Sequence, residues 1–379
     1  MKIITRLFLI LLFFMGAAVL VTTLTGTNYV YRAIWYNVPD IDDYSIFNNR
    51  VIPAANPHPW PISARYNRMK PGPALEKELD HIGTVALLVV HADSLYYESY
   101  HDGYADSSIS GSFSVAKSII GTLTGIALRE GKIKSLDEPV GDFIPEFRTG
   151  EKAKLQIRHL LSMSSGTSWD ESYSSPFSNT TEAYYGTDLK TLMRKLRIAK
   201  EPGSEWRYKS GDTQLMAWVL EKATGESISA YAAEKLWKPL GAVSPALWSL
   251  DRKDGMEKAY CCFNATARDF ARLGGLFLHH GKWMGQTLLD STYVARSTQP
   301  CMIPDETGKP CNYYGYFWWL LPEHPGVFYA RGILGQYIIC IPATHTIMVR
   351  LGKHRGDNAH ESFQEVYDLV DWADANFHS

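Results

Sequence analysis

The stretch Ser114-Val115-Ala116-Lys117-Ser118-Ile119-Ile120-Gly121 decides how the rest of this chain is read. Apolar side chains recur at Val115, Ile119, Leu123 and Ile126, a helical period that stops at Gly131. A helix beginning at or just after Ser114 carries Lys117 one turn along on the same face. Lys117 sits in an apolar run, and a lysine kept neutral by burial can take the proton of a serine hydroxyl. The N–H of Ser114, free at a helix N-terminus, can face a developing oxyanion. A capping serine followed by a solvated lysine gives the same pattern, so the rest of the chain has to choose.

Two further stretches bear on the choice. Tyr208-Lys209-Ser210 follows Glu201-Pro202-Gly203-Ser204 and precedes a helical segment, Gln214 to Ala223, that closes at Gly225. A phenol in a loop ahead of a helix can sit beside a nucleophile. A nearby ammonium would lower its pKa and let it act as general base, then as acid to the leaving group. The plainer role for Tyr208 is half-buried packing. Gly332-Ile333-Leu334-Gly335-Gln336 lies between two β-rich runs, where glycines allow close backbone approach and the Ile333 N–H can be a second oxyanion donor. An ordinary strand bulge would look the same.

Around these stretches the element pattern is legible. Thr84 to Val90 and Leu95 to Tyr100 read as a hairpin turning at His91-Ala92-Asp93-Ser94. Strand signals return at Val327 to Ala330, Tyr337 to Ile341 and Thr346 to Leu351, and an amphipathic helix follows from about His360 to Asn376. Ala74 to His81 is a short helix candidate. Ile157 to about Cys301 is mostly helical. The expectation is an α/β (α+β) fold: one antiparallel sheet built from both ends, flanked by N- and C-terminal helices, with a large helical lobe inserted over about 132–310.

Taken together, the three stretches resemble the serine β-lactamase-like, penicillin-recognising superfamily, and within it the class C β-lactamase-related serine hydrolases. The nearest pattern is that of the esterases, D-aminopeptidases and 6-aminohexanoate-dimer hydrolases. His159-Leu160-Leu161-Ser162-Met163-Ser164-Ser165-Gly166 and the Glu-Pro-Gly before Tyr208 carry the same resemblance, which covers about Pro73 to the C-terminus. It implies a β-lactamase-like fold and an acyl-enzyme on Ser114, with Lys117 and Tyr208 as the proton-transfer pair. It also implies an oxyanion hole from the N–H groups of Ser114 and Ile333, and no cofactor. Ser210 stands where β-lactamases carry an asparagine, and Ala330-Arg331-Gly332 stands where they carry Lys-Thr-Gly. Arg331 is expected on the other sheet face. Ser210 and Gly332 are candidate substrate contacts. Tyr173, in Trp169-Asp170-Glu171-Ser172-Tyr173, is a third, because the hydrolase branch places a tyrosine in that loop.

Beyond the site, 45% hydrophobic and 21% charged residues exclude a disordered chain and a multi-span membrane protein. A net charge of −2 with no long basic run gives no footprint for nucleic acid. His279-His280 lacks a third ligand at metal spacing, so no metal is expected. The aromatic run Tyr313, Tyr314, Tyr316, Phe317, Trp318, Trp319 reads as packing rather than cleft lining.

Leu7 to Leu24 is an 18-residue run broken only by Thr22 and Thr23, with Lys2 and Arg6 before it. Its length suits a hydrocarbon core of about 30 Å, and the basic residues keep the N-terminus cytoplasmic. Residues 1–30 therefore read as an uncleaved membrane anchor, with a cleaved signal as the alternative. A proline-rich extension occupies 31–72 and the enzyme 73–379. This places the catalytic domain on the periplasmic or extracytoplasmic side of a bacterial-type inner membrane. Of the five cysteines, Cys301 and Cys311 flank a loop and can pair; five reduced thiols fit equally. Oligomeric state is open. The leading expectation is an exported serine hydrolase of a small ester or amide. A β-lactamase or D,D-peptidase, and a non-catalytic membrane-tethered scaffold, are the alternatives.

Overall fold

The computed structural model describes residues 2–377. Its main sheet has six antiparallel strands in the spatial order Ser94–Tyr100, Thr84–His91, Thr346–Gly352, Gln336–Ile341, Phe328–Gly332, Trp319–Leu320. Both ends of the enzyme therefore build one sheet, with Thr84–His91 lying beside Thr346–Gly352. Every residue of Thr346–Gly352 is buried, the mark of a strand covered on both faces. Ile338, Cys340 and Ile347 face the helix Ala267–Leu278, which approaches so closely that a Cβ on Gly274 would lie 2.8 Å from Ile347. Tyr337, on the opposite face, hydrogen-bonds through its hydroxyl to Glu365 of the C-terminal helix Gln364–Asn376. That helix starts later than its sequence pattern suggests, because Asn358–Ala359 and Ser362–Phe363 first pair as a small hairpin.

A second sheet was not foreseen. Its four short strands run in the order Asn49–Ile52, Ala246–Ser249, Phe263–Ala265, Ser110–Gly111. The region read as an irregular proline-rich extension thus supplies an edge strand. Asn49 to Ile52 is free of proline and can complete its ladder. The segment just after the apolar N-terminus is also regular: Tyr29–Tyr36 is a helix that buries Tyr29 and Val30. The second sheet matters to the site, since Ser110–Gly111 leads directly into Ser114 while Tyr260 precedes Phe263–Ala265.

The cysteines correct the expected pairing. Cys261 and Cys262 are joined to each other, and Cys301, Cys311 and Cys340 are free thiols. The Cys301 thiol lies 3.8 Å from the Cys311 carbonyl and in side-chain contact with the Cys311 thiol, with no bond between the two sulfurs.

Candidate active site

The helix Val115–Arg129 begins where the apolar period predicts, with Ser114 at its N-cap. The residue before it, Phe113, has φ +44, a left-handed conformation that a bulky side chain adopts only when its surroundings impose it. Packing imposes it here. A Cβ on Gly332 would lie 2.3 Å from the Ser112 carbonyl oxygen, so the strand Phe328–Gly332 presses directly on the backbone that turns into the helix. Gly332 is thus placed against the Ser112–Phe113 backbone that leads into Ser114. Ile333, next in sequence, starts a one-turn 3-10 helix and shares the lining of one cleft with Ser114, Ser210 and Tyr173. Among the described residues, the Ser114 N–H donates to no protein acceptor.

Lys117 is 1% exposed. Its Nζ donates to Ser114 Oγ at 2.9 Å, Ser210 Oγ at 3.1 Å and the Tyr260 carbonyl at 2.9 Å. Burial pushes its pKa from 10.5 down to about 7, against an upward pull from Glu171. Near neutral pH a large share of the side chain is therefore the free amine, whose lone pair faces a hydroxyl that can give up its proton. Three chain segments converge on this amine: its own helix, the start of the helix Ser210–Thr224, and the loop of the second sheet.

Tyr208 comes to the same place by a different route. The Gly203 N–H donates to the Ser164 carbonyl and the Arg207 N–H to the Met163 carbonyl, each at 2.8 Å, so the 159–166 stretch holds the loop that carries the phenol. Lys117 Nζ lies 5.0 Å from the Tyr208 ring, and the phenol hydrogen-bonds with Ser114. Here the expected electrostatics are reversed. Burial and the Glu171 charge push the Tyr208 pKa up, outweighing the downward effects of Ser114 and Arg331. The phenol stays protonated at neutral pH. Arg331 lies on the strand face opposite Ala330 and Gly332, with its guanidinium 3.3 Å over the Trp319 ring. Trp319 packs on Tyr208 at 5.4 Å. The aromatic run thus supports Tyr208 from behind and does not line the cleft.

Sequence reading passed over Glu171, the hub of the polar side of the site. Its carboxylate accepts from the Ser210 N–H (2.6 Å) and hydroxyl (2.7 Å), the Trp169 indole N–H (2.7 Å) and the Tyr173 hydroxyl (2.7 Å). A carboxylate at the N-terminus of Ser210–Thr224 is well placed against the helix dipole. Gly211 makes the approach possible, since a Cβ there would lie 2.4 Å from the Trp169 ring. The signal in the sequence was an acidic residue two positions after a tryptophan and two before a tyrosine, which no local rule marks as part of a site. Tyr173 is 56% exposed, with its hydroxyl turned inward, and burial of that end with the Glu171 charge raises its pKa well above the usual value. Next to Tyr260, the joined pair Cys261–Cys262 forms part of the site wall, with Cys261 lining the cleft.

The site therefore brings together a serine hydroxyl at a helix N-terminus, a buried amine and a protonated phenol beside one cleft. A model described as Beta-lactamase matches residues 73–369. A 6-aminohexanoate-dimer hydrolase of Paenarthrobacter ureafaciens is 28% identical over 300 residues, 74% of this chain and 75% of that protein. A solved structure described as "Putative 6-aminohexanoate-dimer hydrolase from Bacillus anthracis" has a TM-score of 0.76 at 22% identity, covering 88% of this chain and 92% of that one. A family VIII carboxylesterase has a TM-score of 0.63 at 17% identity, covering 81% and 98%. At those identities the two solved structures share the fold.

Proposed function

This chain belongs to the Beta-lactamase family, and on that premise we propose that it is an exported, membrane-tethered serine hydrolase cleaving a small ester or amide through an acyl-enzyme on Ser114. The observation that carries the reading is the contact between a fully buried Lys117 amine and Ser114 Oγ at 2.9 Å. Neutral Lys117 takes the Ser114 proton as Oγ bonds to the substrate carbonyl carbon. The carbonyl oxygen gains negative charge and is held by the N–H groups of Ser114 and Ile333. Tyr208, protonated at neutral pH, gives its proton to the leaving oxygen or nitrogen as the bond to it breaks, and takes one from the Lys117 ammonium beside it. Water then attacks the acyl carbon, passes its proton back by the same groups, and releases the acid.

Ser210 and Glu171 hold the amine in place, and Tyr173 covers the cleft as a substrate contact. The apolar helix over Ile4–Thr25, with mean hydropathy 2.7 and no buried side chain among those described, supports tethering and export. Action on β-lactams or peptidoglycan peptides has less support. Ala330 is wholly buried and Arg331 lies on Trp319, so neither presents a cation to the cleft where Lys-Thr-Gly would.

The test is mass spectrometry after treatment with a fluorophosphonate. The label is expected on Ser114, together with p-nitrophenyl ester hydrolysis that disappears in Ser114→Ala. Labelling elsewhere, or equal hydrolysis by that variant, overturns the reading. Stable labelling of Ser114 by a fluorescent penicillin would favour the penicillin-recognising alternative.

A further inference from the structure

The site cleft is larger than the acylation chemistry needs, about 830 Å³, and it continues away from Ser114 onto the segment that follows the N-terminal helix. Its far wall is built by Ala33, Ile34 and Val38. These residues belong to the helix Tyr29–Tyr36 and the turn after it, which sit only four residues beyond Thr25. Four extended steps and just over one helical turn limit Ile34 to about 20 Å from the end of the apolar helix.

The linkage is not loose. The Thr27 N–H donates to the Thr22 carbonyl at 2.8 Å, and the Tyr31 hydroxyl bonds Thr22 Oγ1 at 2.8 Å. On its other side the short helix is fastened to the enzyme. Arg32 donates to the Ile46 carbonyl at 3.1 Å, and Tyr36 stacks on Tyr185. The cleft wall is thus clamped between the enzyme and the apolar helix.

The surface beside this wall is apolar where a soluble enzyme's would be polar. Ile34, Trp35, Val38 and Phe177 are 64–82% exposed. Such a cluster marks an interaction surface, and tryptophan is enriched at the membrane–water interface. Among the described residues no carboxylate lines the cleft while Arg355 does, so the lining suits an anionic headgroup better than an ammonium group.

We propose that the cleft accepts an ester or amide bearing a long acyl chain, presented from the membrane surface, with the chain lying along the Ile34–Val38 wall and the carbonyl at Ser114. The proposal rests on the serine-hydrolase reading and on the tether. The apolar wall replaces the lipid contacts that the chain gives up on leaving the bilayer, and the clamp keeps the cleft mouth at the interface where such substrates concentrate.

The test uses the full chain in phospholipid vesicles, with p-nitrophenyl acetate in the water and p-nitrophenyl dodecanoate in the bilayer. The dodecanoate-to-acetate ratio of kcat/KM should be at least about ten, because the dodecanoate concentrates in the bilayer beside the cleft mouth while the acetate stays in the water. V38D should lower that ratio at least tenfold, and the milder Val38→Ser should lower it in the same direction. A flat ratio in the parent protein, or one unmoved by both variants, overturns the proposal while Ser114-dependent acetate hydrolysis leaves the hydrolase reading intact. Acetate hydrolysis that is absent, or survives in Ser114→Ala, overturns both.

Discussion

Lys117 and Lys258 are both buried, and burial pushes both amines from 10.5 down to about 7. They differ in what accepts their hydrogen bonds. Lys258 donates to two backbone carbonyls, Ala183 at 2.8 Å and Gly186 at 3.4 Å. Lys117 donates to one carbonyl and two hydroxyls. A carbonyl only accepts, so a deprotonated Lys258 finds no proton there to take. A hydroxyl can reverse its role, and at Lys117 one of the two belongs to a serine at a helix N-terminus that opens on a cleft. A depressed lysine pKa alone therefore does not identify a catalytic base; the chemistry of its neighbours does.

Breaking the Lys117 side of the comparison should have the largest effects. Ser114→Ala should lower kcat/KM for a p-nitrophenyl ester by about 10⁴-fold or more, with fluorophosphonate labelling lost. Lys117→Met should cost about 10³-fold, in the range of a lost general base. In the parent protein kcat/KM should rise with pH through about 7, as the amine loses its proton. The variant should lack that limb. Glu171→Gln should cost about tenfold, because Ser210 and Tyr173 lose a shared acceptor. The Glu171 charge raises the Lys117 pKa, so this variant should also move the rising limb to lower pH. A limb that stays in place would show that Glu171 does not act on the amine.

The Lys258 side should respond in stability instead. Lys258→Met should keep ester hydrolysis within about threefold, as expected for a change away from the reacting atoms. Below about pH 7 both lysines are charged in the folded and the unfolded chain. Between about 7 and 10.5 the unfolded chain holds protons that the folded one does not, so stability rises with pH across that window. Lys258→Met should flatten the rise of Tm over that range, and Lys117→Met should do the same. A loss of hydrolysis in Lys258→Met comparable with that of Lys117→Met would collapse the distinction.

Legibility followed the range of the forces involved. The helix after Ser114 showed because its period and its stop at Gly131 are local, and the hairpin at 84–100 showed because alternation and turn residues are local as well. The second sheet was missed because strands of two to four residues carry too little periodicity to register. The helix Tyr29–Tyr36 was missed because its pattern makes sense only against Tyr185 and Phe47. Glu171 was missed because its importance lies in partners 39 residues away in sequence.

The residue order alone determined the chemical vocabulary: a serine one helical turn from a lysine, a tyrosine ahead of a helix, a glycine-bounded turn between strands, and an apolar N-terminus. Those depend on local spacing, which the covalent chain imposes. Only the tertiary structure decided the protonation states and the sulfur pairing. Desolvation and charge–charge terms depend on what the fold packs around each group, so Lys117 came down, Tyr208 went up against expectation, and Cys261 joined Cys262. The same packing set the wall of the cleft, bringing Ile34 and Val38 beside a serine some eighty residues further along the chain.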